Sequence, residues 1–285
     1  MPDAQAPRDL ADGLRDGAAA VGPREGAILL AHALGVDRHA LFAADRAVPL
    51  EPAAARRFRR LLRARRGGAP IAYLTGTAAF WDMSLAVEPG VLVPRPETER
   101  IVEEVRDAFA GASGTPLIAD VGTGTGAIAI AIARALPHAR VVATDRSAHA
   151  LRLAARNAAD WAPGVRLLPP GDLLAPVARA GVVADAVVMN PPYVATRDWR
   201  RLPRDVRREP RSALDGGPDG LGVVRRLVAA IARGEGVRPG TRVWIEVGAG
   251  QARAARALLA RLGGPTEVAL DLAGIERVVA GQWQP

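Results

Sequence analysis

The chain has 285 residues, 49% apolar and 24% charged, with 30 Gly and 23 Pro, a globular composition that at roughly 150 residues per domain predicts two domains or one with an appendage. It contains no Cys, which excludes disulfides, thiolate nucleophiles and cysteine-bound metal, and His32, His39, His138 and His149 lack paired ligand spacing, so no protein-bound metal is expected. Net charge is +8 with every basic residue an Arg, which fits a nucleic-acid or acidic protein partner and fits biased coding composition equally well.

Asp3, Arg8, Asp9, Asp12, Arg15 and Asp16 precede any apolar stretch, the reverse of a secretory leader. Apolar runs such as Ala127–Ala133 reach about one-third of a membrane span. A cytoplasmic protein is expected. Over residues 8–66, apolar positions such as Ile28, Leu29 and Ala31 and then Phe58, Leu61 and Leu62 recur at helical spacing. Gly22-Pro23, Gly35 and Pro49 break that pattern into short helices, with Pro52 at an early helical position. Gly67-Gly68-Ala69-Pro70 ends it. From Ile71 to Val93 the residues Tyr73, Thr75, Thr77, Phe80, Trp81 and Val87 favour extended chain, and Glu88-Pro89-Gly90 signals a turn. A hairpin-like connector is expected.

After Pro94-Arg95-Pro96, residues 97–110 read as a helix with acids at its start, Glu97 and Glu99 serving as capping and dipole charge. Strands are predicted at 117–121, 140–144, 165–168, 186–189 and 242–247, and helices at 127–136, 148–157, 221–232 and 252–262. This alternation implies an α/β fold with a mostly parallel sheet. The last pair, 266–271 and 276–281, has no helix between its members and predicts an antiparallel hairpin at the sheet edge.

Gly122-Thr123-Gly124-Thr125-Gly126 follows a strand and opens a helix, and Asp145 ends the next strand. Such a turn lets backbone approach a ligand, and the acid can accept ribose hydroxyls. A dinucleotide and S-adenosylmethionine both fit. Asp172 and Leu173 follow the third strand, where they could face an adenine ring; Asp172 taken alone suits a helix cap, and the strand-end position it shares with Asp145 favours the ligand.

Asn190-Pro191-Pro192-Tyr193 follows the apolar run 186–189, beyond the carboxyl end of a strand, where open parallel sheets bind ligands. The Asn190 side-chain carbonyl and the Pro191 backbone carbonyl can accept both hydrogens of a planar NH2, and Tyr193 offers a flat face. The group suits methyl transfer to an amide or exocyclic amino nitrogen, a poor nucleophile that needs orientation more than a base.

These segments resemble the release factor glutamine methyltransferases. The likeness runs through Pro70–Gly76, Phe80-Trp81, Pro94–Glu99, the glycine turn, Asn190–Tyr193, Glu209-Pro210 and Ala213–Gly217. It implies a Rossmann-like class I methyltransferase with a seven-stranded sheet and a small all-α N-terminal domain. The domains expected are 1–70 for substrate recognition, 71–93 as hairpin linker and 94–285 for methyl transfer. The implied reaction moves a methyl from S-adenosylmethionine to the Gln of the Gly-Gly-Gln motif in class 1 release factors, by a monomer contacting no nucleic acid or membrane. Gly122 to Gly126, Asp145, Asp172, Leu173 and Asn190 would hold the cofactor, and Asn190, Pro191, Pro192 and Tyr193 the amide. Arg95 and Glu97 would position the cofactor. The competing expectation from the same tetrapeptide is an adenine-N6 methyltransferase of DNA or RNA. Leu173 stands where some members carry an aromatic residue. Residues 197–211 carry seven Arg against Asp198, Asp205 and Glu209, a clamp for an acidic partner or a solvated loop.

Overall fold

The computed structural model describes residues 7–285; Asp3, used above in reading the N-terminus, lies outside them. The chain forms two compact units, one running to Gly76 and including Pro203–Arg208, the other comprising Thr77–Leu202 and Glu209–Pro285. Among the described residues, no helix is long and apolar enough to cross a membrane.

The first unit is helical: α1 (Leu10–Val21), α2 (Pro23–Leu34), α3 (Arg38–Ala43), α4 (Pro52–Arg66) and α5 (Ile71–Thr75). Its boundaries follow local chemistry. Asp9 accepts the Asp12 N–H at 2.8 Å at the start of α1, Pro23 and Pro52 open their helices, and Gly35 ends α2 in the left-handed region. Gly17 and Gly26 let α1 and α2 meet backbone to backbone, since a Cβ on Gly26 would lie 2.4 Å from the Gly17 carbonyl carbon. Leu29, Leu30, Leu41 and Phe58 fill the core, each contributing about 1.5–3 kcal/mol by leaving water.

Residues 71–75 are the first correction, because they form α5 rather than extended chain. Gly76 at φ 78° closes this helix, and Ile71 and Leu74 pack on the helical core, so burial overrides the extended preference of Tyr73 and Thr75. The segment Pro203–Arg208 belongs to the same unit. There Arg65 makes a two-pronged contact with Glu25 at 2.6 and 2.7 Å and reaches Asp205 at 3.1 Å, and Arg208 donates to the Gly67 carbonyl. The arginine-rich stretch is thus divided, with its central part built into the helical unit.

The second unit opens with a hairpin of β1 (Thr77–Phe80) and β2 (Met83–Ala86). Its turn is Trp81-Asp82, with Trp81 at φ 57°, and the turn expected at Glu88-Pro89-Gly90 follows the hairpin, closed by the Val91 N–H on the Glu88 carbonyl at 3.3 Å. A short 3-10 turn at Pro96–Thr98 leads into α6 (Glu99–Phe109). Then come β3 (Leu117–Val121), α7 (Ala127–Ala135), β4 (Arg140–Thr144), α8 (Ala148–Trp161), β5 (Arg166–Leu167), α9 (Ala175–Arg179) and β6 (Ala184–Met189). The chain ends with α10 (Gly222–Ala232), β7 (Val237–Glu246), α11 (Ala252–Leu259), β8 (Gly263–Leu270) and β9 (Glu276–Trp283).

The seven strands lie in the order β5-β4-β3-β6-β7-β9-β8. The first five are parallel, while β9 runs antiparallel between β7 and β8. β3 is buried along its whole length, as a central strand covered by helices on both faces must be. The strand order reverses beside β3, whose neighbours are β4 and β6. Ligand crevices open at the carboxyl ends of such strands. Every segment singled out for chemistry after β3, β4 and β6 is delivered there.

Candidate functional site

The glycine turn leaves β3 and folds back on the end of β4. Gly122 and Thr123 both donate their N–H groups to the Thr144 carbonyl, at 2.8 and 3.0 Å. Gly122 and Gly124 sit at φ 75° and 56°, the left-handed region that side chains disfavour. Gly126 serves packing as well, because a Cβ there would lie 3.2 Å from the Ala154 Cβ on α8. Asp120 secures the turn from below, its Oδ2 accepting from Thr123 Oγ1 at 2.6 Å and from the Ala129 N–H at 3.1 Å. Burial pushes the Asp120 carboxyl up to about 7, against those two hydrogen bonds, and its Oδ1 has no hydrogen-bond partner among the described residues.

Asp145 uses both oxygens on backbone, Oδ2 accepting from Gly124 at 3.0 Å and Oδ1 from Ser147 at 2.8 Å. Further lone pairs remain for hydroxyl donors. Leu173 takes a left-handed conformation at φ 45°. Asp172 does not cap α9, which has no side-chain cap; its carboxylate is exposed and pairs with Arg226.

One pocket joins these parts. Its wall includes Gly122, Thr123, Gly124, Thr125, Asp145, Asp172, Leu173, Asn190 and Pro192 from the sequence candidates, with Phe80, Val91, Arg95 and Thr98 beside them. Gly126, Pro191 and Tyr193 are not on that wall: Gly126 opens α7, and Tyr193 turns toward Glu246 and Gly248. Arg95 stands on the wall and pairs with buried Glu209, which also accepts the Val93 N–H at 2.9 Å. Glu97 is exposed and absent from the wall. Neither it nor Glu99 caps α6 through its side chain; Glu99 instead accepts the Trp81 N–H at 2.8 Å.

The tetrapeptide is braced from behind. Val194 exchanges backbone hydrogen bonds with Leu214 and Gly216, at 2.8 and 2.9 Å, and Gln251 donates to the Tyr193 carbonyl at 2.9 Å. A Cβ on Gly216 would fall 2.3 Å from the Pro192 oxygen, so that position admits glycine alone. The Asn190 Nδ2 donates to Thr98 Oγ1 at 3.0 Å, and Thr98 donates to Glu246 Oε2 at 2.6 Å. Burial pushes the Glu246 carboxyl up to about 7. Burial, then the Glu246 charge, pushes the Tyr193 phenol up to about 12, so it stays neutral. Sequence reasoning missed Thr98, Glu209 and Glu246. Among the described residues, no group of His, Asp or Glu side chains could hold a metal ion.

The arrangement offers a pocket walled by the glycine turn, with the Asp145 carboxylate and the Asn190 amide on its lining. Residues 102–215 match a methyltransferase small domain, and residues 14–76 match a PrmC N-terminal domain. The release factor glutamine methyltransferase of Burkholderia pseudomallei is 41% identical over 261 residues, spanning 90% of each chain. That of Bordetella pertussis is 43% identical over 259 residues, 90% of this chain and 93% of the relative. A methyltransferase of known structure from Pyrococcus furiosus, 16% identical, superposes with a TM-score of 0.53 over 80% of this chain and 98% of its own. That likeness extends to the fold.

Proposed function

This chain belongs to the family of release factor glutamine methyltransferases, and on that premise we propose that it methylates the side-chain amide of the glutamine in the Gly-Gly-Gln motif of class 1 release factors. The methyl donor in this reading is S-adenosylmethionine. The pocket fits it: Gly122 and Gly124 leave backbone uncovered, Asp145 presents a carboxylate to ribose hydroxyls, and Leu173 offers an apolar face for adenine. When bound, S-adenosylmethionine supplies an electrophilic methyl on a sulfonium.

The protein's own contribution is orientation. An amide nitrogen shares its lone pair with the carbonyl and attacks poorly, so what accelerates transfer is holding its NH2 in one plane and direction. Asn190 Oδ1 and the Pro191 carbonyl accept the two hydrogens, and Pro192 and Tyr193 shape the loop around the amide. The nitrogen gains the methyl as the carbon–sulfur bond to the donor breaks, the donor departing as its neutral thioether, and the nitrogen releases one proton to water. No strong base is required, which suits a site where the buried carboxylate Glu246 already accepts from Thr98 and the buried Glu209 pairs with Arg95. The helical unit serves in this reading to recognise parts of the release factor distant from the glutamine.

The observation that carries the proposal is the Asn190 amide, tied through Nδ2 to Thr98 on the pocket wall. Mass spectrometry of an unmethylated release factor incubated with the protein and S-adenosylmethionine tests it. One added methyl on the motif glutamine is expected, with Asn190→Ala losing turnover far more than cofactor affinity. Methyl transfer to adenine in DNA or RNA instead would overturn it.

A further inference from the structure

We infer that Thr98 is a positioning residue for methyl transfer, holding the Asn190 amide in the single orientation that leaves its Oδ1 free to accept from the substrate NH2; this rests on the reaction proposed above. Thr98 Oγ1 lies 2.6 Å from Glu246 Oε2 and 3.0 Å from Asn190 Nδ2, and Thr98 and Glu246 are only 4% and 1% exposed. Water therefore does not compete for these groups.

A hydroxyl carries one proton, and an ionised carboxylate can only accept. With Glu246 ionised, the Thr98 proton is committed to Glu246, and what the Thr98 oxygen offers Asn190 is a lone pair. Nδ2 satisfies that lone pair. Turning the amide over would set Oδ1 against it and point two N–H donors at the substrate's own NH2. The relay thus fixes a direction as well as a place, with Glu246 as the group that determines which way the Thr98 proton points.

Protonation of Glu246 removes the constraint. A neutral carboxyl can donate to Thr98, freeing the Thr98 proton for Asn190 Oδ1, and the inverted amide is then equally satisfied. The groups facing Glu246 are Thr98, Tyr193, Arg277 and Glu97: Arg277 and the hydrogen bonds from Thr98 and Tyr193 favour the ionised form, while burial and Glu97 oppose it.

The chain has only two asparagines, Asn157 and Asn190, so labelling Asn side-chain nitrogen gives two NH2 signals. Asn157 donates to the Ala86 and Thr125 carbonyls at 3.0 and 2.9 Å and serves as internal reference. At about pH 8, wild-type Asn190 should show one slowly exchanging amide proton. Thr98→Val, which keeps the shape and removes the hydroxyl, should speed that exchange and lower kcat, each by about tenfold or more, with cofactor Kd and the Asn157 signal unchanged. Thr98→Ser should restore both. A loss confined to folding stability, with Asn190 exchange at the wild-type rate, overturns the inference, as does wild-type kcat in Thr98→Val. If Thr98→Val does not fold, Glu246→Gln is read by the same signal and should show the same faster Asn190 exchange; the wild-type rate there overturns the inference. If wild-type protein moves no methyl to the release factor, the functional reading fails and the amide exchange alone still decides the role of Thr98.

Discussion

The Asp145 carboxylate accepts the Gly124 N–H at 3.0 Å, tying the end of β4 to the glycine turn that follows β3. The acid thereby shapes the pocket it also serves. Asp145→Ala removes two backbone hydrogen bonds and the acceptor proposed for ribose hydroxyls. Hydrogen bonds to a charged group contribute about 1.5–3 kcal/mol each, so S-adenosylmethionine affinity should fall about tenfold to a hundredfold. Isothermal titration calorimetry checks this, and wild-type affinity would refute the assignment.

Asp120 supplies a pH signature in stability. Its folded pKa of about 7 lies above the ordinary 3.8, so the folded state binds a proton that the unfolded chain has released. Its stabilising contribution is full below about pH 4 and is lost as pH rises through about 7, at up to about 1.4 kcal/mol per pH unit. Asp120→Asn keeps an acceptor for Thr123 and Ala129 and cannot ionise. Urea denaturation midpoints of the variant should fall less steeply between pH 5 and pH 7 than those of the wild type.

Gly216 bears on catalysis through the loop it supports. A methyl group at that position would meet the Pro192 oxygen at 2.3 Å and the Gly220 oxygen at 2.5 Å, so Gly216→Ala must shift the tetrapeptide. Displacing an orienting group by about 1 Å lowers turnover on the order of a hundredfold. Steady-state kinetics should show that loss in kcat, with cofactor binding retained because the glycine turn is untouched.

Glu246 links turnover to pH. Protonation near 7 releases the Thr98 proton and lets the Asn190 amide invert, so kcat should decline as pH falls through that region. Glu246→Gln has no proton to gain there. Its kcat should be lower than wild type at about pH 8 and flat from pH 6 to pH 8, and an acid limb persisting in the variant would point to another group.

Contiguous features of the pocket were partly legible in the sequence. A strand placed before the glycine turn and before Asn190–Tyr193 suffices to bring Gly122 to Thr125, Asn190 and Pro192 to the pocket wall, while Gly126, Pro191 and Tyr193 fall off it. The supporting groups were not, because they act across the fold: Thr98 is 92 residues from Asn190 and 148 from Glu246, and Glu209 is 116 from Val93. In Pro-Arg-Pro-Glu-Thr-Glu the acids drew attention as helix-start charges, while the hydroxyl between them makes the contact. Glu246 carried a usable signal, a carboxylate closing the apolar run Val243-Trp244-Ile245, the same strand-end position that identified Asp145. Residues 71–75 misled because β-branched and aromatic residues also suit a half-buried helical turn when Pro70 and Gly76 fix its ends.

The helical unit is not an uninterrupted stretch of chain. A fragment ending at Gly76 would retain Arg65 with Glu25 and lack Asp205, while a chain begun at Thr77 would keep Pro203–Arg208 without the helices it packs on. Recombination that swaps N-terminal segments between homologues therefore has to exchange a six-residue cassette from the opposite half of the gene at the same time. Chimaeras built without it should be less soluble than either parent, and restoring the parental cassette should recover them.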